Sequence, residues 1–452
     1  MIKRRQLLRR GLQSAVSLSM LGSVPMGLMS SLRAQATEDY RATVCVLLAG
    51  GADSFNLLVP RSNQAYSQYR QRRSDLALAQ SDLLPLDGEH NGVAFGVHPA
   101  LGNIQRLFNN GSGTFVSNIG PLVEPTTRAA LEAESVTLPL GLFSHSDQIL
   151  SWQTATPANR AGTGFGGRLI DALASANTGV SLAGNISLSG NNAFQAGAAV
   201  GSYSLNAAAG VRTIAGYDNN IFQGALDRLL TDSNAPALQR VYADKIQSAI
   251  DVGGLFSNAL EQAVSFSTSF SEDPFSLAMK RIAELISVRD LLGMARQTFF
   301  VTYGGWDHHE DTLGQQAAML PALDAGLGQF VAALSEIGMG SQVTTYTISD
   351  FGRTLTSNGK GSDHGWGGNV MALGGSINGG RLYGEFPELV EDNPLDLGRG
   401  RFLPTTASDA LFADIARWMG VADTDMATVL PNWPGLADSP QGQGIEGLLK
   451  NA

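Results

Sequence analysis

Two adjacent histidines follow a pair of glycines in the segment TYGGWDHHED, residues 302–311. Asp307, His308 and His309 place one carboxylate and two imidazoles within three residues. Oxygen and nitrogen ligands together suit first-row divalent metals such as Zn or Mn, whereas carboxylates alone suit Mg or Ca. The segment is therefore a candidate metal-binding turn.

Two further aspartates stand in similar turns, Asp53 in LLAGGADSFN and Asp350 in TISDFGRT. Like Asp307, each follows an apolar run, and the segment GSDHGWGG adds Asp363 and His364. In an open α/β sheet, ligands bind at the carboxyl edge of the strands, where carboxylates distant in sequence converge. The alternative is that each aspartate caps a following helix. The repetition of the pattern favours a metal site.

A nucleophile is less clearly marked. Ser144 in FSHSDQILSWQT is followed at the third position by Asp147, which is also the pattern of a helix capping box. A serine at a helix start near a metal is activated as a phosphoryl or sulfuryl acceptor. Ser144 and the neighbouring His145 are therefore candidate catalytic residues, with Ser146 and Ser54 as weaker alternatives to Ser144.

Two arginines are candidate clamps for a developing oxyanion. Arg353 follows Asp350 in the segment DFGRT, and Arg168 lies in GFGGRLID. A guanidinium group binds an oxyanion through two hydrogen bonds, but an arginine beside a turn is more often the partner of a salt bridge. Arg353 is included among the candidate catalytic residues.

The elements that position these residues follow from hydrophobic patterning. Apolar runs ending in glycine predict strands, and stretches with a helical period predict helices. The strands are predicted at 42–51, 113–121, 298–307 and 342–352, and the helices at 276–297 and 317–339. This alternation predicts a layered α/β domain over residues 37–452. Residues 175–235, rich in Ala, Ser, Asn and Gly, are predicted to be an insertion of short strands and turns.

The first 36 residues have the pattern of an export signal. Arg4 and Arg5 belong to a basic start, an apolar stretch of small residues follows, and AQA at 34–36 has the form of a cleavage site. The paired arginines resemble the twin-arginine signal, which implies the twin-arginine translocation machinery as a partner and a periplasmic or secreted protein. The alternative is a membrane anchor. No later apolar run approaches the roughly 18 residues of a membrane span, so a stable span is not expected.

Charge narrows the class of partner. The chain has 30 basic and 40 acidic residues, for a net charge of −10, and loss of residues 1–36 would bring it to about −16. This acidity argues against binding to nucleic acid. Cys45, the single cysteine, lies in an apolar run and is predicted to be a buried strand residue without a disulfide.

Seven segments, in order, resemble a known family. They are LLAGGADSFNLLVP, FGVHPAL, FSHSDQ, GGWDHH, SDFGRTLTSNGKGSDHGWGG, MALGGSINGGRLYGEFPEL and PTTASDALFADIARWMGV. The chain resembles the exported bacterial family known as domain of unknown function 1501 over nearly its whole length after the signal. That family is similar in fold to the alkaline phosphatase and sulfatase superfamily, whose members hold one or two divalent metals at the carboxyl edge of a sheet and transfer phosphoryl or sulfuryl groups.

The resemblance implies a mostly parallel central sheet with helices on both faces, and one or two divalent ions, Zn, Mn, Mg or Ca. It implies these metal ligands: Asp53, Asp307, His309, Asp350 and His364. His308 competes with His309 for its role, because the superfamily spaces this aspartate and histidine more widely. Phe351 stands where the superfamily has a histidine next to the aspartate, so Asp363 and His364 are the alternative source of that pair.

Two functions remain open. The first is a metal-dependent hydrolase of a small-molecule or polymer ester of phosphate or sulfate. A formylglycine sulfatase is not expected, because the motif C/S-x-P-x-R is absent from the sequence. The second is a non-catalytic exported binding or structural protein that keeps the fold and one metal. Fold alone does not decide between them.

Overall fold

The computed structural model describes residues 40–179, 181–207, 220–230, 236–443 and 445–450. The expected export signal lies outside these residues. From Arg41 onward the chain forms one unit.

Strands and helices alternate through the described chain. The strands are β1 (Arg41–Ala49), β2 (Leu58–Pro60), β3 (Leu84–His90), β4 (Val93–Val97), β5 (Gly113–Gly120), β6 (Asn185–Ser187), β7 (Tyr203–Ser204), β8 (Arg296–Gly304), β9 (Val343–Ser349), β10 (Gly368–Leu373), β11 (Tyr383–Gly384) and β12 (Thr406–Ala407). The first helices are α1 (Asn63–Arg73), α2 (Gly102–Asn109), α3 (Arg128–Glu132), α4 (His145–Thr154), α5 (Phe165–Ala172) and α6 (Asn220–Leu230). The later helices are α7 (Ala237–Leu260), α8 (Pro274–Ser287), α9 (Thr312–Glu336), α10 (Ser408–Met419), α11 (Met426–Val429) and α12 (Pro440–Gln443).

Among the residues described, nine strands form the main sheet in the order β11-β5-β10-β9-β1-β8-β6-β7, with β12 also paired to β5. All of its pairings are parallel except those of β10, which runs antiparallel to both β5 and β9. The expected mixed α/β fold with a mostly parallel central sheet is confirmed. A smaller antiparallel sheet has the order β2-β4-β3.

The register of the three central strands aligns their carboxyl ends. Ala49 at the end of β1 pairs with Gly304 at the end of β8, and Leu48 pairs with Ser349 at the end of β9. The turns that follow these strands therefore leave the sheet at one edge. Because β10 is antiparallel to β9, the segment that precedes Gly368 also reaches this edge.

Apolar side chains cover both faces of the sheet. Cys45 and Leu47 of β1 share a buried cluster with Leu411 of α10, so Cys45 is the buried strand residue that its sequence context predicts. On the opposite face, Phe275 of α8 stacks on Tyr303 of β8 with ring centroids 5.1 Å apart. Side chains alternate between faces along a strand, and this alternation sets the two helices on opposite sides.

By its length and composition, helix α9 is apolar enough to cross a membrane. No long apolar run was found in the sequence after residue 36, so a helix of this kind was not expected. Half of its most apolar window is buried within the protein. The helix packs against α8, and the carboxylate of Asp324 within it accepts hydrogen bonds from the backbone of Asn103 and Ile104. These contacts are those of a core helix.

The described part of the stretch 175–235 includes β6, β7 and α6. Ile186 of β6 pairs in parallel with Phe299 of β8, and β7 pairs in turn with β6. These short strands therefore extend the main sheet at one end.

Candidate metal centre

Five chemically active side chains meet at the carboxyl edge of the central strands. They are His145, Asp307, His309, Asp350 and His364. Three of these positions follow from the sheet, because Asp307 lies in the turn after β8, Asp350 directly follows β9, and His364 lies just before β10. His145 is the first residue of α4 and enters the cluster from outside the sheet.

Asp307 is the centre of the cluster. The Nε2 atoms of His145, His309 and His364 lie 3.5, 3.1 and 3.5 Å from its carboxylate oxygens. The Nε2 atoms of His309 and His364 lie 3.0 Å from each other. Three imidazole nitrogens and one carboxylate are thus directed at the same small volume.

The other ring nitrogen of each histidine, Nδ1, lies against a hydrogen-bond acceptor. The Nδ1 atom of His145 lies 2.7 Å from Oδ2 of Asp350, and that of His364 lies 2.8 Å from the carbonyl oxygen of Phe143. The Nδ1 atom of His309 lies 3.1 Å from Oδ1 of Asp363. An acceptor at Nδ1 fixes the tautomer that leaves Nε2 unprotonated and able to bind a metal.

The donor set fits a divalent metal. One ligand atom each from His145, Asp307 and His364 lie within 4.8 Å of one another. Ligand atoms around a tetrahedral zinc are about 3.4 Å apart, given bonds of about 2.1 Å, so small side-chain shifts would complete the geometry. The mixed nitrogen and oxygen set suits Zn, Mn or Fe better than Mg or Ca.

A buried guanidinium supports Asp307 from the sheet side. Arg353, fully buried, forms an ion pair with Oδ1 of Asp307 and donates to the carbonyl oxygens of Gly51 (2.7 Å) and Ser362 (2.9 Å). Partial burial raises the pKa of Asp307, but the ion pair with Arg353 outweighs it and the pKa is lowered overall. Asp307 is therefore an anion even without a metal.

The environment of His364 keeps this imidazole neutral. Burial lowers its pKa, and the charges of Arg353, His145 and His309 lower it further, against the hydrogen bond to the Phe143 carbonyl. A neutral imidazole is the form that binds a metal.

Asp363 is a strongly anionic partner of His309. Partial burial raises the pKa of this carboxyl, but hydrogen bonds from Asn358, Arg399 and His309 lower it to about 2. Arg399 lies 2.7 Å from its Oδ2 atom. Asp363 thus acts on His309 through Nδ1 and does not itself face Asp307.

Asp53 is not among the residues that the structure brings together. Its fully buried Oδ2 atom accepts hydrogen bonds from Arg73 (2.8 Å) and from the hydroxyl of Ser362 (2.7 Å). Its Oδ1 atom lies 3.3 Å from the backbone nitrogen of Phe55. Asp53 therefore forms a buried ion pair with Arg73. It does not belong to the histidine cluster, of which it was predicted to be a member.

The structure separates the roles of the adjacent histidines. His309 belongs to the cluster, whereas His308 is buried, with its ring beside that of Trp306 at 5.7 Å. Burial lowers the pKa of His308. Of the two, His309 is the one that can bind a metal together with Asp307.

The candidate nucleophiles differ in accessibility. Ser144 precedes α4 without capping it through its side chain, and its hydroxyl lies 3.3 Å from that of the exposed Ser146. Ser54 is buried, and its hydroxyl accepts a hydrogen bond from the backbone nitrogen of Asn369. Ser144 and Ser146 thus remain beside the cluster, while Ser54 is part of the interior.

Both predicted clamps are engaged by the protein itself. Arg168 is buried and donates to the carbonyl oxygens of Thr154, Thr163 and Val429. Arg353 is used by Asp307 and by backbone carbonyls, as described above. Both guanidinium groups therefore bind other parts of the protein and do not present an open face to an oxyanion.

Several solved structures resemble this chain at low similarity. The crystal structure of Ps i-CgsB is 12% identical with a TM-score of 0.36, over 86% of this chain and 74% of that one. The PsFucS1 sulfatase from Pseudoalteromonas sp. is 12% identical with a TM-score of 0.33, over 89% and 73%. A mutant of the alkaline phosphatase PafA is 12% identical with a TM-score of 0.24, over 74% and 64%. At these scores the likeness carries no information about what this chain binds or converts.

No curated protein matches the sequence. A family model does match, and it confirms the family resemblance of the seven sequence segments. It covers residues 40–430, which include both sheets and every residue of the histidine cluster. The chain belongs to the family described as protein of unknown function (DUF1501).

Proposed function

We propose that this protein is an exported, metal-dependent hydrolase of phosphate or sulfate esters. The observation that carries the proposal is the shared orientation of three histidines. Each of His145, His309 and His364 has its Nδ1 atom against an acceptor and its Nε2 atom within 3.5 Å of Asp307. Histidines that ligate metals are held in this way.

A bound divalent metal would polarise an ester oxygen and stabilise the charge that develops during transfer. The protein residues prepare the site for it. Asp350 and Asp363 hold the Nδ1 protons of His145 and His309, and Arg353 keeps Asp307 ionised. The nucleophile is the hydroxyl of Ser144, or a water molecule in its place. The position of the cluster at the open carboxyl edge of the sheet gives an ester access to it.

Export by the twin-arginine route belongs to the same proposal. That route carries proteins already folded in the cytoplasm, which suits a chain that acquires its metal before leaving the cell. The periplasm or the medium is then the place of action. The chain is compatible with an oxidising compartment, since Cys45 is its only cysteine and is buried.

One observation favours the second candidate, a non-catalytic binding protein that holds one metal. Among the residues described, no serine hydroxyl is hydrogen-bonded to a histidine of the cluster, and Ser144 contacts Ser146 instead. A serine nucleophile is normally activated by an adjacent base or by the metal itself. The two candidates thus differ in whether Ser144 can be deprotonated once the metal is present.

Elemental analysis with an activity screen tests the proposal. The untagged exported protein, purified without added metal, is compared with Asp307→Asn and with a matched control, His90→Gln. The described contacts of the His90 ring are with Gly384, Asn91 and Phe95, none of which belongs to the cluster. We expect about one equivalent of Zn, Mn or Fe in the wild type and the control, and almost none in Asp307→Asn. Hydrolysis of aryl phosphate or sulfate esters should follow the metal content. A folded wild type without metal would overturn the proposal, and metal without hydrolysis would favour the binding protein.

A further inference from the structure

A short hairpin borders the histidine cluster. It spans residues 396–402 and is closed by an antiparallel bridge between Asp396 and Phe402. Within it, the backbone nitrogen of Leu397 donates to the carbonyl of Arg401 (2.9 Å), and that of Arg401 donates to the carbonyl of Gly398 (3.2 Å). The hairpin presents two arginines, Arg399 and Arg401, towards the cluster.

The hairpin is held rigidly at its base. Oδ1 of Asp396 accepts hydrogen bonds from the backbone nitrogens of Gly398 and Gly400, each at 2.8 Å. Its Oδ2 atom forms an ion pair with Arg72 at 2.6 Å, and its carbonyl accepts from Arg128 at 3.1 Å. A guanidinium on such a base loses little conformational entropy when it binds a ligand.

Two residues beside the cluster have left-handed backbone conformations that are unfavourable for their side chains. Arg399 has φ 62° between two glycines that also have positive φ, and Phe143 has φ 74°. Such conformations cost on the order of 1–3 kcal/mol and concentrate at binding sites. Both residues touch the site, since Arg399 pairs with Asp363 and the Phe143 carbonyl accepts from His364.

Arg401 differs from the other arginines near the cluster. Arg353 is paired with Asp307 and Arg399 with Asp363, but Arg401 has no carboxylate partner among the residues described. Its Nε atom donates to the His364 carbonyl at 3.1 Å, and its guanidinium lies over the Phe143 ring, 5.6 Å from the centroid. These two contacts fix the group and leave its terminal N–H donors without a described acceptor.

We infer that Arg401 binds an anionic oxygen group beside the histidine cluster, and that the hairpin 396–402 is the arm that positions it. The inference rests on the proposed function and adds the residue that selects a negatively charged substrate. Its positive charge is not cancelled by a carboxylate, and its planar donors match a tetrahedral oxyanion. Phosphate and sulfate share this chemistry. Arg401 thereby takes the role of oxyanion clamp that was predicted from the sequence for Arg353.

Titration of inorganic phosphate and sulfate into the full exported protein tests the inference. We compare the wild type with Arg401→Gln, Arg401→Lys and a control, Arg417→Gln. Arg417 is exposed, lies over the ring of Trp433 and pairs with Asp423. Zinc affinity is measured on the same samples by competition with a chelator. We expect Arg401→Gln to weaken binding of at least one of the two anions about tenfold or more, with zinc affinity unchanged. Arg401→Lys should retain much of the affinity, and the control all of it.

The possible outcomes distinguish the inference about Arg401 from the proposed metal-dependent function. Unchanged anion affinity in Arg401→Gln, or no anion binding by the wild type, overturns the inference while leaving the metal site standing. If the wild type holds no divalent metal, the proposed function fails, and the anion titration on that metal-free protein still decides the inference. Loss of anion binding confined to Arg401→Gln would support it, with phosphate and sulfate affinities showing which oxyanion the arm prefers. Loss of zinc together with the anion would make Arg401 a support of His364 and would contradict the inference.

Discussion

The Nδ1 atom of His145 lies 2.7 Å from Oδ2 of Asp350, although the two residues are separated by 205 positions. Asp350 is almost fully buried, and its other oxygen accepts a hydrogen bond from the backbone nitrogen of Gly50 at 2.9 Å. Both oxygens are thus occupied by the turn after β1 and by the first residue of α4. Asp350 therefore orients His145, and we predict that this role, more than the direct ligation that the resemblance implied, is what it contributes to the metal site.

Replacing Asp350 by Asn should weaken the metal site without abolishing it. The amide has one acceptor oxygen in place of two, so it cannot accept from both the Gly50 nitrogen and Nδ1 of His145, and the tautomer of His145 is held less firmly. We expect metal affinity to fall about 10- to 100-fold, a smaller loss than in Asp307→Asn. Competition with a chelator measures it, and Asp147→Asn, which alters the partner of Arg160, is the control. An equal loss in Asp350→Asn and Asp307→Asn would indicate that Asp350 is itself a ligand.

Asp53→Asn should destabilise the fold and leave metal binding intact. The variant breaks the buried pair with Arg73, and removal of one partner of such a pair costs about 3–5 kcal/mol. Urea unfolding gives the change in the free energy of unfolding, and elemental analysis of the folded fraction gives the metal content. Arg73→Met should produce a similar loss of stability. Metal lost from folded Asp53→Asn protein would restore the ligand role that the sequence assigned to Asp53.

Asp350 and Asp53 differ in how far their positions could be predicted from the sequence. The apolar runs at 42–51, 298–307 and 342–352 correspond to β1, β8 and β9, and their shared edge could be expected from parallel pairing. Asp350 directly follows β9 and so meets this edge. Asp53 is separated from β1 by residues 50–52, of which Gly50 and Gly51 have φ values of 120° and 79° that end the extended conformation of the strand. The sequence shows the glycines but not the direction of the turn.

Other parts of the site depend on contacts that sequence patterns do not record. His364 reaches the edge because β10 is antiparallel, and His145 arrives on a helix start outside the sheet. Arg401 was not among the candidate residues. The available signal was the run GRGR at 398–401, because glycines on both sides of an arginine indicate a tight turn. In the structure the arginine between them, Arg399, has positive φ.

Arg353→Lys should lower stability despite keeping the charge. The guanidinium of Arg353 donates to several backbone carbonyls as well as to Asp307, and an ammonium group cannot reproduce that planar set. Leaving buried acceptors unpaired costs about 1–3 kcal/mol each, so we expect a loss of about 3 kcal/mol in urea unfolding. Arg401→Lys, at a partly exposed position, should lose less than about 0.5 kcal/mol. Equal stability of the two lysine variants would contradict the anchoring role of Arg353.

A carboxylate outside the cluster should contribute to the pH dependence of stability. Asp409 of α10 is fully buried, and burial raises its pKa to about 7 against weak hydrogen bonds from Asn432 and Ser408. An unfolded aspartate ionises near pH 4, so between about pH 4 and pH 7 the folded protein holds a proton that the unfolded chain has lost. This carboxyl by itself makes the free energy of unfolding fall as pH rises through this range, whereas histidines with lowered pKa, such as His98 at about 4, contribute in the opposite direction.

Asp409→Asn should remove this contribution, because the amide does not ionise. We expect the wild type to lose about 2 kcal/mol between pH 5 and pH 7 relative to Asp409→Asn. Urea unfolding in the presence of EDTA measures it without a contribution from metal binding. The exposed Asp423→Asn is the control and should follow the wild type. Burial also raises the pKa of Asp414, to about 6, so the double variant should lose less stability over this pH range than Asp409→Asn does. Parallel pH profiles for all of these proteins would show that neither buried carboxyl retains its proton in the folded state.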